Sequence, residues 1–333
     1  MLIHCYSYAR AGLLGNPSDG YFGKTIAVAM ANFPAVVTIY ESPEIHLSQN
    51  VEDRGDFNSL EDMVREIERF GYYGGIRLVK ATSREFVKYC IDNGITIPKR
   101  NFTLRYKTTV PQLVGLGGSS AICTATIKAL QKFYEIEIPK HIAATLCWKA
   151  ECDLSIKCGL QDRVIQMYNG LVYMDFNKKF FDEHRYGIYE ELDVSTLPKF
   201  YLAYDPERAE FSGTYHQKLN DLYSDRKREI AAAMSEFADF ASQGKEALAK
   251  GDVAELNRLI NANFDLRNKV LTVSDKNERM VMTARKSGAS AKFAGSGGAI
   301  IGLYEDEAMF KRLKADLEAI GCAVLAPTVA LPE

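Results

Sequence analysis

The sequence predicts an α+β protein of two domains, and three observations carry that expectation. The chain has 333 residues, 47% of them apolar, enough for about two cores. Helical-period stretches and short β-branched or aromatic runs are segregated, which marks α+β rather than alternating α/β order. A charged segment, 178–198, has little aliphatic pattern and ends in Leu197–Pro198. It places an N-terminal domain at 1–190 and a C-terminal domain at 191–333.

In chain order, Arg10–Asp19 reads as a polar turn containing Gly12, Gly15, Asn16, Pro17 and Ser18, and an apolar segment follows it. Ala35–Ser42 and Phe102–Val110 are strands by their β-branched and aromatic content. Leu60–Phe70, Ile76–Asn93, Ser119–Tyr134 and Lys140–Ile156 have helical spacing; the last carries a stripe of Ile142, Ala143, Leu146 and Ala150. Gly170–Phe176 is a strand. Beyond the charged segment come a strand at Phe200–Tyr204 and a long helix from Ser224 to about Lys250. Helices near Ala254–Lys269 and Asp275–Ser287 follow. Then Ser290–Tyr304 reads as strand, glycine turn, strand. A helix at Asp306–Ile320 and a strand over Ala323–Ala330 close the chain.

Charge and cysteine usage exclude several classes. With 41 Lys and Arg against 43 Asp and Glu, net charge is −2, so neither a nucleic-acid nor a membrane partner is expected. No apolar run approaches a membrane span, and the first ten residues lack a signal-peptide pattern. The seven cysteines are scattered without a C-x-x-C pair, which points to a reduced, cytoplasmic setting. Cys147, Cys152 and Cys158, with His141 upstream, do not have zinc-ligand spacing.

The chemistry lies in three glycine loops. Gly115, Leu116, Gly117, Gly118, Ser119, Ser120 and Ala121 stand between a strand and a helix, where unpaired backbone N–H groups and the helix dipole favour an anion. No Lys follows in the Walker A pattern. Arg10–Asp19 is a second loop. Gly295, Ser296, Gly297 and Gly298 form a third. One such loop reads as a turn; three at strand ends, far apart in sequence, read as one polyanion site. Glu151 at the edge of its helix's apolar stripe and Asp162 after a helix break supply carboxylates. A serine hydroxyl and a carboxylate are hard donors that suit Mg²⁺, and an aspartate near an acceptor hydroxyl can take its proton.

Together these segments resemble the GHMP kinase superfamily. Its second motif, P-x-x-x-G-L-G-S-S-A, corresponds to Pro111 through Ala121 with one extra glycine, Gly118. Arg10–Asp19 is similar to its first motif and Lys292–Ala299 to its third. Within it, "GLLGNPSDGYFGKTI", "FGYYGGIRL", "RNFTLRY", "GLQDRV" and "NGLVYMDF" look most like the plant-type glucuronokinase branch. The resemblance implies an N-terminal domain like ribosomal protein S5 domain 2, a ferredoxin-like C-terminal domain, and ATP in the cleft between them. It implies an ATP- and Mg²⁺-dependent kinase acting on the anomeric hydroxyl of D-glucuronate and feeding UDP-glucuronate synthesis. Another sugar acceptor, such as galacturonate, galactose or a heptose phosphate, and a non-catalytic sensor of the same fold are the alternatives.

Site roles follow from the resemblance. Gly115–Ala121 would cradle the ATP phosphates. Ser120, with Ser119 as the alternative, and Glu151 would hold Mg²⁺. Asp162 would be the catalytic acid–base. Arg10, Asn16, Asp19, Tyr21 and Arg163 would face the acceptor, Asp19 through sugar hydroxyls. Galactokinases carry Glu where this chain has Asn16. A neutral amide there would tolerate a sugar carboxylate that a Glu would repel. Arg10, Arg163 and Lys24 are the candidate cations for that carboxylate. "FGYYGGI", Phe70–Ile76, is either sugar-facing or a structural turn.

Overall fold

The computed structural model describes residues 2–50, 53, 57–70, 74–156, 158–206, 227–271 and 273–332. Two sheets organise them. The first is built on one long strand, β2 (Lys24–Ser42), with β1 (Leu2–Leu14) antiparallel along one edge. On its other edge β2 pairs first with β5 (Leu171–Asp175) and then with β4 (Asn101–Thr108). β3 (His46–Leu47) is parallel to β4, and β6 (Ile188–Leu192) is antiparallel to β5. β1 alternates exposed and buried residues up to Tyr8 and is buried throughout from Ala9 onward. Its second half is therefore covered on both faces, which puts Arg10 in the interior.

Helices α1 (Leu60–Phe70), α2 (Ile76–Asp92), α3 (Gly118–Tyr134), α4 (Lys140–Asp153), α5 (Gln161–Tyr168) and α6 (Lys178–His184) belong to this half. α3 packs on β1 and β2, with α2 and α4 against it. α3 is strongly apolar: Ala121, Cys123, Ala125, Ile127 and Ala129 are all fully buried. α5 follows the break that the sequence suggested at 158–161, and the sequence reading did not assign it. Asp162 thus sits in a first helical turn.

The second sheet contains β7 (Phe200–Tyr204), β8 (Lys292–Phe293), β9 (Ala299–Leu303) and β10 (Ala323–Leu325), ordered β10-β7-β9-β8 and antiparallel throughout. Counted along the chain this is order 4-1-3-2, the ferredoxin-like βαββαβ arrangement. Its helices are α7 (Lys227–Lys250), α8 (Val253–Val270), α9 (Asp275–Lys286) and α10 (Glu307–Glu318). Asp252 caps α8 by accepting from Glu255 N at 3.0 Å, and Asp306 caps α10 by accepting from Met309 N at 2.7 Å. The start of the long helix expected from Ser224 lies outside the described residues, as do residues 71–73 of "FGYYGGI".

The change of sheet falls later than residue 190. β6 pairs with β5 through Leu192, so the first sheet ends there, and β7 opens the second at Phe200. The expected strand over Ala323–Ala330 is shorter; only Ala323–Leu325 pairs with β7, and Val329 bridges back to Met30 of β2. α7 packs on β2 and α8 on β1, so C-terminal helices brace the first sheet. Among the described residues no helix is long and apolar enough to cross a membrane.

Candidate active site

The expected phosphate loop folds as a left-handed turn into a helix. Gly115 (φ +70°) and Gly117 (φ +75°) adopt backbone angles that side chains resist. A Cβ on Gly115 would stand 2.8 Å from Ser296 N, so only glycine lets the first and third loops touch. Gly117 caps α3 with no side-chain hydrogen bond, so the first N–H groups of α3 receive no side-chain acceptor there. The Gly117 carbonyl accepts from Gln166 Nε2 (2.8 Å), Ser120 Oγ (2.9 Å) and Ala121 N (3.1 Å). Leu116 is buried and its carbonyl accepts from Arg10 N at 3.1 Å. The turn is held through its carbonyls while the start of α3 has no side-chain cap, and an uncapped helix start is suited to an anion.

The two serines part company. Ser120 is fully buried and its hydroxyl is turned to Gly117. Ser119 is half-buried and donates to Glu151 Oε1 at 2.7 Å. The serine beside the candidate metal carboxylate is therefore Ser119.

Asp162 and Arg10 form a buried bidentate pair: Nε donates to Oδ1 at 2.7 Å and Nη2 to Oδ2 at 2.8 Å. Arg10 Nη1 also reaches Gly115 O (2.5 Å) and Ala294 O (3.3 Å). One guanidinium thus ties the carboxylate to the phosphate loop and to the third glycine stretch. The third stretch is held in turn by Arg267 on α8, which donates to the Gly295 and Ser296 carbonyls and stacks on Phe293. Gly297 and Gly298 have positive φ, and Gly298 N donates to Asn277 Oδ1.

Asp19 lies beside Asp162, 2% exposed. Burial pushes its carboxyl above the ordinary value, Asp162 repels it further, and the Gln161 N–H lowers it in part. Its oxygens accept from Gln161 N and Gln161 Nε2, both at 3.2 Å. Tyr21 ends the same short turn, half-buried against the core.

The three expected acceptor cations are each engaged with an acid of the protein. Arg163 is 1% exposed and ion-paired with the fully buried Glu151, with a further bond to Gly159 O. Lys24 lies 3.8 Å from Asp175. Arg10 holds Asp162. Asn16, expected to face a carboxylate, is turned inward: Oδ1 accepts from Lys292 Nζ at 2.5 Å and Nδ2 donates to Phe293 O at 3.4 Å. Its amide is committed to protein because the loop closes over β8.

The sequence reading passed over Lys292, Arg267, Asn263, Gln161 and Gln166. Lys292 opens the third glycine stretch, the one available signal; the others sit on helices whose amphipathic pattern does not separate buried polar residues from exposed ones. Around these loops, buried cations Arg10, Arg163, Arg267 and Lys292 face carboxylates Asp19, Glu151 and Asp162. Four against three, when all are ionised, leaves one positive charge, which favours an anionic ligand. Among the described residues no cluster of three or more His, Cys, Asp or Glu could hold a metal alone.

The GHMP kinases N terminal domain family matches residues 77–170, and the GHMP kinases C terminal family matches 245–321. The chain is 42% identical over 302 residues to probable glucuronokinase 2 of Arabidopsis thaliana, covering 89% of this chain and 82% of that protein. It is 39% identical over 301 residues to glucuronokinase 1 of the same plant, covering 89% and 83%. Lactococcus lactis galactokinase complexed with galactose has a similar fold, with a TM-score of 0.74 at 14% identity over 99% of this chain and 94% of that one.

Proposed function

The chain belongs to the GHMP kinase family and is a sugar kinase, and from that premise we propose that it transfers the γ-phosphoryl group of ATP to the anomeric hydroxyl of D-glucuronate. The observation that carries the reading is the Arg10–Asp162 pair, set between the glycine turn and Asp19. The two glucuronokinases, at about two-fifths identity over most of the chain, supply the choice of sugar.

In this reading the N–H groups at the start of α3 and the Gly115–Ala121 turn receive the phosphates. Asp19 accepts from acceptor hydroxyls. Asp162 orients the attacking hydroxyl and takes its proton as the bond to phosphorus forms and ADP departs. Arg10 holds both Asp162 oxygens, so the carboxylate keeps its position. The net positive balance at the loops offsets part of the charge that ATP and a uronate bring together.

Ser119 and Glu151 are the residues that would hold Mg²⁺. Their oxygens are hard donors of the kind the ion prefers and lie 2.7 Å apart. The ion would screen the phosphate charge. Arg163 neutralises Glu151 and orients its other oxygen.

The test is ADP release from Mg-ATP across glucuronate, galacturonate, glucose, galactose and arabinose. Turnover on glucuronate well above the rest supports the assignment. Preference for another sugar keeps the kinase and replaces the acceptor. ATP binding without turnover on any sugar removes the assignment.

A further inference from the structure

Lys292 is a buried charge at the site to which the chemistry above gives no task. Its side chain is 1% exposed, and Nζ donates to Gly12 O (2.7 Å), Asn16 Oδ1 (2.5 Å) and Phe293 O (2.8 Å). All three acceptors are uncharged. Burial, with Arg267 and Arg10 nearby, pushes the ammonium well below its ordinary value, while Asp19 draws it back up. An apolar side chain would avoid that desolvation cost. The placement of the three donors is what an apolar residue would lose.

Two of the acceptors, Gly12 and Asn16, bracket the turn that leads to Asp19; the third lies in β8, at 293. The same turn is pinned by Gly12 N to Ala294 O (2.8 Å), Gly15 N to Asn263 Oδ1 (2.8 Å) and Asn263 Nδ2 to Asn16 O (3.1 Å). Every one of these bonds joins the N-terminal loop to a residue about 250 or more positions later. Lys292 is the node, because one nitrogen reaches both ends of the turn. A tetrahedral ammonium meets three divergent acceptors in a way that a planar guanidinium or a two-donor amide cannot.

We infer that Lys292 is a positioning residue for the acceptor: it ties Gly12 and Asn16 to β8 and so fixes the loop that carries Asp19, relative to the Arg10–Asp162 pair. This rests on the reading that Asp19 holds the sugar. Lys292→Met keeps the stem and removes the donors. The expected result in the full-length enzyme is an acceptor KM raised about tenfold or more, since small misplacements are costly. The ATP KM should stay within about twofold, because the phosphate loop is held by Arg10, Gln166 and Ser120 instead. Asn16→Ala cuts the same link more gently and should give the same split; the double variant should be no worse than Lys292→Met. Equal rises in both KM values, or an unmoved acceptor KM, overturn the inference. Hydrogen exchange on the sugar-free protein supplies a reading that needs no turnover. Residues 12–19 should exchange faster in Lys292→Met, or in Asn16→Ala if the first variant does not fold, while residues 115–121 keep their rates. Unchanged exchange at 12–19 refutes the positioning role even if the kinase assignment stands; faster exchange there without activity on any sugar refutes the assignment and leaves the brace.

Discussion

Asp162→Asn separates the chemical role of the carboxylate from its structural one. Asp162 gives Arg10 two acceptors, at 2.7 and 2.8 Å, with both residues under a tenth exposed. An amide keeps one acceptor and turns a donor toward the guanidinium. One charge-assisted bond is lost and the Arg10 charge is no longer neutralised. Removing one partner of a buried pair costs about 3–5 kcal/mol. Arg10 keeps the Gly115 and Ala294 carbonyls, so the cost should fall near the lower end, about 3 kcal/mol. Loss of a general base costs a further 10²–10⁴-fold in kcat, about 2.7–5.5 kcal/mol of barrier. The assay is kcat for ADP release under saturating sugar and Mg-ATP, corrected for the folded fraction from a thermal melt, with ATP affinity measured alongside. The expected outcome is a lower Tm, intact ATP binding in the folded fraction, and kcat down at least about 10²-fold. A folded variant within about tenfold of wild-type kcat would show that Asp162 does not take the proton.

Three further outcomes are expected. Ser119→Ala should raise the Mg²⁺ concentration for half-maximal rate, whereas Ser120→Ala should leave that titration alone and cost about 1 kcal/mol of stability through its bond to Gly117; the reverse pattern would return the metal role to Ser120. Gly115→Ala forces a Cβ against Ser296 at positive φ and should lower Tm in the nucleotide-free protein, while Gly118→Ala, whose methyl meets only Val110 at 3.7 Å, should not; equal melts would mean that the first and third loops are not in close contact. Asp19→Asn should lose sugar turnover yet melt higher at neutral pH. The Asp19 carboxyl is raised in the fold, so the stability tied to its protonated form is full below the free value of 3.8 and lost as pH rises through the folded value. The melt difference should therefore widen upward from about pH 4, and a difference independent of pH would contradict the burial argument. The Gln161 amide oxygen, buried without a partner among the described residues, is free to accept from the new Asn amide.

Much of this protein could be read along the chain. Helical period located α3 and α4, glycine runs located the turn that opens α3, and a first-to-third motif order identified the family, because each is a local pattern. The short range of such patterns also set what they missed. α5, just after the break at 158–161, went unread because eight residues hold too few turns to show a period. The line at 190 rests on charge alone, whereas the place of β6 in the first sheet depends on pairing with β5.

Which side chains face one another was decided only by the tertiary structure. Arg10 meets Asp162 across 152 positions, Lys292 meets Asn16 across 276, and Ser119 rather than Ser120 turns to Glu151. Sequence supplied the residue types that such chemistry requires. Packing supplied the partners, since an ion pair or a buried amide is fixed by the fold that removes it from water, and no local pattern encodes which distant group arrives.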